Sequence, residues 1–454
     1  MDRTFAKLCP QISIIMPLYN AERYLEEALI CIIQQTFTDY ELICINDASI
    51  DSTLQILEAF QAKDGRIKIY SNPERKGAAF SRNRGMEIAS GKYLSFLDGD
   101  DIFDEQMLEK AYHIAELKNA DITMFEFKHV PSELIHNKLS VQHSKEFIDR
   151  YCKDTFSVQN YEPYEFLKWS SAAWNKLYRK EFIDRHQLVF QDLPSSNDCC
   201  FVNLSLLLSE KTIFVEDKKM LLYIRDHDVP TRISCHRDPK CTYYACIKVY
   251  DELVKREKFE SVYQHYYIRL FMQIQAIFFG LIKEEQKEAF YDFLKNDGIA
   301  RIRSMGGEYY NKMDGYIRHL LEQFEEQEYG SQWYLKFNLF EIHLHLREEK
   351  IVALFQKYAS KNAMIGVWGA GMIGKALLAF CAQHNLHIEA VIDKAIGKRG
   401  SIVGFHDVML PEECWDKVQV IIVAAKSIYE EVVRDVGTRK IEVIDLGKEI
   451  GIFW

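Results

Sequence analysis

The segment 90–101, SGKYLSFLDGDD, follows an apolar run with three aspartates placed around one glycine. Asp98, Asp100 and Asp101 are like charges in close succession, and such neighbours raise one another's pKa. A divalent cation removes the conflict, because Mg²⁺ or Mn²⁺ binds hard carboxylate oxygens together with substrate phosphates. Gly99 lets the backbone approach a ligand without an intervening side chain. The pattern therefore has two interpretations, a divalent-cation site and a solvated turn after a strand.

The elements that must position these aspartates alternate between strand and helix. The run at 12–16, ISIIM, is of the apolar kind found in a doubly covered parallel strand, and further strands are predicted at 41–46, 66–70 and 92–97. Asn20 and Asp51 are expected as N-caps of the first two intervening helices. This alternation predicts an α/β fold with a parallel sheet, in which ligands bind beyond the carboxyl ends of the strands. Asp47 and Asp98 each follow a strand and are therefore expected to share one crevice.

The composition limits the classes of protein that fit. The 454 residues include 57 basic and 67 acidic side chains, a net charge of −10 that argues against a nucleic-acid partner. The 11 cysteines form no CxxC pair, so neither a zinc cluster nor a redox motif is predicted. The most apolar stretch, 270–282, is too short to span a bilayer, and the N-terminus has no apolar signal core. A cytoplasmic protein is expected, with peripheral contact at the inner face of a membrane left open.

The order of patterns along the chain predicts three domains. Residues 1–235 form the first α/β domain, and residues 236–360 form a helical domain or linker rich in aromatic and charged side chains. Residues 361–454 return to strand–helix alternation and are predicted to form a small Rossmann-like α/β domain. Association into a homo-oligomer is left open.

The C-terminal part contains a glycine motif in VWGAGMIGKALL, residues 367–378. Gly369, Gly371 and Gly374 follow a strand and precede a helix, and Asp393 ends the next strand near the distance expected of a ribose-binding acid. A second nucleotide site, for NAD or another nucleotide, is therefore a candidate here. The alternative is a module kept for packing, oligomerisation or acceptor docking.

Several segments stand in the order and spacing of the family 2 glycosyltransferases, which have the GT-A fold. They are PLYNAERYL (17–25), NDASIDST (46–53), NPERKGAAFSRNRGMEIASGKYLSFLDGDD (72–101), WNKLYRKEFI (174–183), SSNDCCFVNLSLLL (195–208) and LLYIRDHDVPTRIS (221–234). Residues from about 10 to 235 resemble this family.

The resemblance implies a role for each matching residue of a UDP-sugar site. Asp47 would bind the uracil base, in a pocket lined by Pro17 and Tyr19. Arg82 would lie near the nucleotide phosphates. Asp98 and Asp100 would hold the ribose and the metal, which would be Mn²⁺ or Mg²⁺.

The resemblance also implies an acceptor side. Asp198 would be the catalytic base that takes a proton from the acceptor hydroxyl. Asn197 stands where the family usually has glutamate, so one carboxylate beside the base is lost. Arg225 and His227 match a later segment that can close over the diphosphate.

The function implied is that of a metal-dependent, inverting glycosyltransferase. It would move one sugar from a UDP-sugar to a glycan, lipid-linked or protein acceptor, in bacterial surface polysaccharide or glycoconjugate synthesis. The alternatives are a non-catalytic GT-A scaffold and an oxidoreductase acting through the C-terminal domain. The residues do not determine the sugar, the acceptor or the linkage, because sugar selectivity depends on the shape of the pocket.

Overall fold

The computed structural model divides into two compact units, Met1–Tyr329 and Gly330–Trp454. It describes residues 9–125, 127–131, 157, 171–215, 222–226, 238–278, 284–331, 344–345, 347–370, 372–395, 398–403, 406–423 and 428–450. The segment 236–360, expected as a separate helical domain, contributes to both units. The three-domain division otherwise stays a prediction.

The first unit begins with alternating strands and helices. These are β1 (Ile12–Leu18), α1 (Leu25–Ile33), β2 (Tyr40–Asn46), α2 (Thr53–Gln61), β3 (Ile67–Ser71), α3 (Ala78–Ile88), β4 (Tyr93–Phe96), β5 (Ile102–Phe103), α4 (Met107–Lys118), β6 (Ile122–Phe125), β7 (Phe127–Pro131), β8 (Lys176–Arg179), α5 (Lys180–Arg185), α6 (Asn197–Leu208), β9 (Thr212–Val215) and β10 (Leu222–Asp226). The four strands predicted in the first hundred residues are confirmed, with bounds shifted by one or two residues.

Seven of these strands form one sheet in the order β3-β2-β1-β4-β8-β6-β9. Strands β1 to β4 are mutually parallel where they pair, and β8 pairs antiparallel with β4 and β6. The register sets Leu18 opposite Asn46 and Ile15 opposite Phe96. The carboxyl ends of β1, β2 and β4 therefore meet at one edge of the sheet. A smaller sheet has the order β5-β10-β7.

Both faces of the large sheet are covered, which explains why nearly every residue of β1 and β2 is buried. One face packs on α1, α2 and α4 through fully buried residues such as Ile14, Leu29 and Leu42. Against the other face, Phe96 and Tyr178 contact Phe201 of α6 with ring centroids 5.5 and 5.3 Å away. This aromatic cluster fixes α6 against β4 and β8.

The rest of the first unit is helical, as the sequence predicts. It comprises α7 (Lys240–Lys255), α8 (Phe259–Ala276), α9 (Glu284–Phe293), a π-helical turn (Leu294–Gly298), α10 (Ile299–Gly306), α11 (Glu308–Lys312) and α12 (Gly315–Glu326), followed by a 3₁₀ turn (Tyr329–Ser331). Buried tyrosines such as Tyr243 and Tyr267 fill the spaces between the helices. No helix in the described part of the chain combines the length and apolarity needed to cross a membrane.

The second unit contains a six-stranded sheet. Its elements are α13 (Glu348–Ala359), β11 (Ile365–Trp368), α14 (Met372–Gln383), β12 (Ala390–Ile392), β13 (Ile402–Val403), β14 (His406–Met409), a 3₁₀ turn (Pro411–Glu413), β15 (Val420–Val423), α15 (Tyr429–Val436), β16 (Glu442–Asp445) and α16 (Leu446–Ile450). The strand order is β13-β14-β12-β11-β15-β16, and all pairings are parallel except that of β13 with β14. The chain order therefore reverses beside β11, as in doubly wound folds.

The two faces of this second sheet have separate cores. Val367 and Ile422 point to the core that includes α13 and α14, whereas the neighbouring Trp368 and Val423 point to the core that includes α15. Because successive strand residues face opposite sides, a strand that is apolar at every position must be covered twice.

Candidate active site

The predicted donor residues lie at the edge where β1, β2 and β4 end. The backbone N–H of Asp47 donates to the carbonyl of Leu18 at 2.8 Å, which places it directly beside Tyr19. The backbone N–H of Leu97 donates to the carbonyl of Ile15 at 3.1 Å. Asp98 therefore emerges next to the end of β1, on the side away from Asp47.

The carboxylate of Asp47 organises the loop between β3 and α3. Its Oδ1 accepts from Asn72 Nδ2 at 2.7 Å and from the Lys76 amide at 2.8 Å, and its Oδ2 accepts from the Gly77 amide at 2.7 Å. Gly77 has φ of +91°, a conformation that favours glycine. Asp47 therefore fixes the loop between β3 and α3 in addition to lying at the predicted donor edge.

The loops after β1 and β2 are bound to one another. Asn20 Oδ1 accepts from the Ile50 amide at 3.0 Å, and Asp51 Oδ2 accepts from the Glu22 amide at 3.0 Å. The predicted cap at Asn20 is wrong, because α1 begins only at Leu25 and Asn20 is used for this loop–loop contact. The predicted cap at Asp51 is also displaced, because Ser52 is the N-cap of α2 and Asp51 precedes it, although Asp51 Oδ1 accepts from the amide of Thr53 at 3.0 Å.

Tyr19 is presented to solvent by the paired loops. It is 38% exposed, which is unusual for a large ring beside buried strands. The guanidinium of Arg75 lies over the ring at 3.9 Å from its centroid. Pro17, the other predicted lining residue, is the half-buried penultimate residue of β1. A flat, partly exposed ring at this edge is suited to contact a base.

Arg82 on α3 joins the two sides of the site. Its Nη2 donates to Asp98 Oδ1 at 2.9 Å, and its Nη1 donates to Asn197 Oδ1 at 3.2 Å. The residue is only 8% exposed, and its guanidinium carbon lies 5.4 Å from the centroid of the Phe190 ring. Its Nε is buried with no hydrogen-bond partner among the described residues. One buried cation therefore links the end of β4 to the start of α6.

Asp198 lies in the first turn of α6, directly after the residue that Arg82 contacts. Burial raises the pKa of Asp198, the Arg82 guanidinium opposes that rise, and the nearby Asp98 adds to it. A carboxylate with a raised pKa is a stronger proton acceptor, which is the property required of a general base.

The helical segment anchors the helix that carries Asp198. Ser196, which precedes α6 in a left-handed conformation with φ of +54°, shares a 2.7 Å hydroxyl hydrogen bond with Thr242 of α7. About two turns further along, Arg269 Nε of α8 donates to Asn203 Oδ1 at 3.1 Å. Helices α7 and α8 thereby help to orient Asp198.

The charge at the end of β4 is suited to a cation bound with phosphates. Burial raises the pKa of Asp98, Arg82 opposes the rise, and Asp100 increases it further. Arg82 occupies only Oδ1 of Asp98, so a second carboxylate oxygen is not used in that contact. Within the described residues no group of three or more His, Cys, Asp or Glu is arranged around one point. Asp98 and Asp100 fit a Mg²⁺ or Mn²⁺ ion that takes its remaining ligands from a diphosphate and water.

Gly99 has a packing role that the sequence did not suggest. A Cβ at this position would lie 2.4 Å from Cδ2 of Leu18 and 3.6 Å from Cδ1 of Leu25. The space that this glycine leaves is therefore filled by the core beneath the site. Its predicted contact with a donor stays a prediction that concerns the backbone.

Two predicted residues cannot be placed by their side chains. Arg225 lies on β10, and the structure describes the backbone of this strand but not its side chains. His227 lies outside the described residues. Their assignment to closure over the diphosphate stays a prediction.

Two residues of the site region, Asn72 and Asn83, were missed in the sequence. Asn72 donates to both Asp47 and, at 3.2 Å, to Ser81 Oγ, so it connects the base side of the crevice to α3. Asn83 forms a reciprocal pair of hydrogen bonds with the backbone of Phe190, at 2.9 and 2.8 Å. Polar residues clustered in NPERKG and SRN were the available signal, but their partners lie far away in the sequence.

In the second unit, two glycines of the motif allow the loop after β11 to turn tightly into α14. Gly369 has φ of +111°, and a Cβ on Gly374 would lie 1.7 Å from the carbonyl oxygen of Gly369. Gly371 lies outside the described residues. The carboxylate of Asp393 accepts from the amides of Ala370 and Ala395, both at 2.9 Å, and from Lys398 Nζ at 2.8 Å. Asp393 therefore fastens the glycine loop to the end of β12, and the second nucleotide site stays a prediction.

We expect Asp393→Asn to destabilise the second unit, because the amide removes the ion pair with Lys398 and cannot accept all three hydrogen bonds. These contacts lower the pKa of Asp393 against the opposing effect of its burial. Their stabilisation is present above pH ~4, the ordinary value for an aspartate, and is lost as the pH falls through the lowered pKa. A loss of about 1–2 kcal/mol at pH 7 is expected in urea unfolding. The difference from the wild type should shrink towards pH 3, whereas Asp407→Asn, at an exposed position, should show no such difference.

The parallel strands β1, β2 and β4, which end at one edge of the sheet beside Asp47 and Asp98, are those of an α/β domain of the GT-A type. Residues 13–184 match the model of glycosyl transferase family 2. This part of the chain is therefore similar to the domain of glycosyl transferase family 2.

The chain is similar to bacterial glycosyltransferases over part of its length. It is 28% identical over 220 residues to glycosyltransferase GlyG of Streptococcus pneumoniae, covering 47% of this chain and 70% of GlyG. It is also 28% identical over 235 residues to the uncharacterized glycosyltransferase EpsJ of Bacillus subtilis, covering 50% of this chain and 64% of EpsJ. Because these matches cover about half of this chain, they do not determine the substrates or the reaction of the whole protein.

A solved structure supports the fold. TarS residues 1–349 of S. aureus, in a complex with UDP-GlcNAc, superposes with a TM-score of 0.55 at 22% identity, covering 70% of this chain and 87% of that one. The same protein in its complex with UDP gives a TM-score of 0.53 at 21% identity. At this identity the likeness shows the GT-A fold.

Proposed function

We propose that this protein is a metal-dependent, inverting glycosyltransferase that moves one sugar from a UDP-sugar to a glycan, lipid-linked or protein acceptor. The observation that carries the proposal is the Arg82 bridge. It places Asp98, at the predicted diphosphate side, and Asn197, next to the predicted base, within hydrogen-bond distance of one guanidinium. A donor and an acceptor bound at these two sides would meet at a single point.

The donor side would hold the nucleotide. Tyr19 and Pro17 would contact the uracil base beside Asp47, whose carboxylate also fixes the loop wall. Asp98 and Asp100 would hold the ribose and a Mn²⁺ or Mg²⁺ ion. When bound, such an ion neutralises the charge that develops on the departing diphosphate. Arg82, Arg225 and His227 are proposed to contribute to the binding of the phosphates.

The acceptor side would carry out the proton transfer. Asp198 accepts the proton of the acceptor hydroxyl as that oxygen forms a bond to the anomeric carbon. The bond between the anomeric carbon and the phosphate oxygen breaks with its electron pair, and UDP leaves. One displacement inverts the configuration at carbon. Asn197 leaves one carboxylate fewer here than the family pattern and would favour a neutral hydrogen-bonding contact with the acceptor.

Binding of UDP is expected to stabilise the protein only when the metal is present. At a ligand concentration about 100 times its Kd, binding contributes about 2.7 kcal/mol, or a rise of roughly 5 °C in Tm. Tm is measured with UDP, GDP, UDP-glucose, UDP-galactose and UDP-GlcNAc, each with Mn²⁺ or with EDTA. Asp100→Asn should lose the metal-dependent part of the rise.

Equal rises in Tm with GDP and UDP would contradict the assignment of uracil as the nucleobase of the donor. A rise in Tm that persists in EDTA would contradict the proposed requirement for a metal. Stabilisation by UDP together with no sugar transfer from any of the donors would favour a non-catalytic scaffold. A change in NADH absorbance driven by a UDP-sugar would favour an oxidoreductase.

A further inference from the structure

Lys176 is a buried cation that the proposed reaction does not yet use. It is fully buried, at 0% exposure, in the first position of β8. Its Nζ donates to the carbonyl of Ala172 and to Oδ1 of Asn175, both at 2.7 Å. A lysine is almost never buried completely without an anionic or functional partner, because removing its charge from water is costly.

The strand register places Lys176 at the active edge of the sheet. Ser95 of β4 pairs with Leu177 of β8, so Lys176 lies beside the carboxyl end of β4, just before Asp98. This end of β8 meets the crevice, although β8 runs antiparallel to β4.

The packing of α6 brings Lys176 towards Asp198. Lys176 and Tyr178 are two residues apart on one strand and point to the same face of the sheet. Tyr178 contacts the ring of Phe201 at 5.3 Å, and Phe201 lies one helical turn after Asp198, on the same side of α6. The helix face that covers Tyr178 therefore also presents Asp198 to the region of Lys176.

The charges around the pair agree with this placement. Asp198 experiences Arg82 from α3, Asp98 from the end of β4 and Lys176 from β8. Lys176 in turn experiences Asp198 and, from α8, the repulsive guanidinium of Arg269. The pKa of Lys176 is lowered to about 7 in total. Burial is the main cause, Arg269 adds to the lowering, and Asp198 opposes it.

We propose that Lys176 is a positioning residue, whose ammonium group keeps Asp198 ionised and oriented for proton transfer from the acceptor. This inference rests on the proposed function of Asp198. Lys176 does not touch the substrate. It acts by its charge on Asp198. Its hydrogen bonds to the backbone carbonyl of Ala172 and to the side chain of Asn175 also fix the segment that precedes β8.

The test is the pH dependence of kcat/KM for UDP release from the most strongly stabilising UDP-sugar with Mn²⁺. In the wild type, activity should fall at low pH as Asp198 is protonated. In Lys176→Met and Lys176→Gln the acid limb should move to higher pH by about half a unit or more, since an opposite charge has been removed. Relative to the wild type, the variants should therefore lose at least about threefold more activity at acid pH than on the pH plateau. Lys176→Arg should restore the limb.

The controls separate the possible outcomes. Lys312→Met, which removes an exposed lysine paired with Glu308, should leave the profile unchanged. UDP binding, measured by thermal shift, identifies those Lys176 variants that fold. An unchanged acid limb in a folded, uncharged variant would overturn the proposal for Lys176 while leaving the glycosyltransferase intact. A wild type that releases no UDP from any donor, or an Asp198→Asn variant as active as the wild type, would overturn the proposed function itself.

Discussion

Asp198→Asn is expected to lower kcat for sugar transfer by about 10³-fold, within the range of 10²–10⁴ that a positioned general base contributes. The substitution keeps the size and the hydrogen-bonding shape of the side chain but removes the proton acceptor. Because Asp198 lies on α6 and the proposed donor residues lie on α3 and after β1, β2 and β4, the affinity for UDP should change little. The measurement is the initial rate of UDP release and product formation, with the UDP thermal shift in parallel.

Asp184→Asn is the matched control for Asp198. It makes the same chemical change at an exposed position on α5, where Asp184 pairs with Lys180 at 2.7 Å, and should retain the wild-type rate. If Asp198→Asn binds UDP normally and turns over at a near-normal rate, Asp198 is not the base. If it loses both UDP binding and activity, its role is structural rather than catalytic.

Arg82→Met is expected to reduce both stability and activity. The methionine fills much of the space under Phe190, but it leaves Asp98 without its cation and removes a positive charge acting on Asp198. Asp98 is 32% exposed, so losing this charged hydrogen bond is expected to cost about 1.5–3 kcal/mol. Transfer should fall by about 10²-fold or more, because a phosphate contact and the alignment of two carboxylates are lost together. Urea unfolding at pH 7 and steady-state kinetics measure the two effects.

Arg82→Lys distinguishes charge from geometry. Lysine keeps the positive charge but lacks the fork that reaches Asp98 and Asn197 at once. We expect it to recover much of the stability but little of the activity. Arg185→Met, at an exposed arginine paired with Glu181 at 3.4 Å, should have no effect on either quantity. Full activity in Arg82→Lys would show that one point charge is sufficient and that the bridge is not required.

The sequence determined the fold of the N-terminal half. Mainly apolar strands that alternate with helices predict a doubly covered parallel sheet, and the sheet brings Asp47 and Asp98 to one edge. This much follows from local pattern, because the period of a strand and the direction of parallel pairing leave little choice. The same reasoning predicted the strand–turn–helix around Gly369 and Gly374.

The sequence could not show which polar groups share a hydrogen bond. Asn20 and Asp51 were both expected as helix caps. The structure uses Asn20 to tie two loops together, since the approach of those loops depends on the pairing of β1 with β2. Asp393 was expected to face a ribose, yet three donors of its own chain bind its carboxylate.

Only the tertiary structure showed how the two halves of the active site are joined. Arg82 and Asn197 are 115 residues apart, and Lys176 and Asp198 lie on β8 and α6, which pack together through Tyr178 and Phe201. Such contacts depend on where a helix docks on a sheet, which is a property of side-chain packing across the whole core. Residue type identifies the groups able to hold a charge or transfer a proton. The packing of α3, α6 and β8 decides which of them lie together.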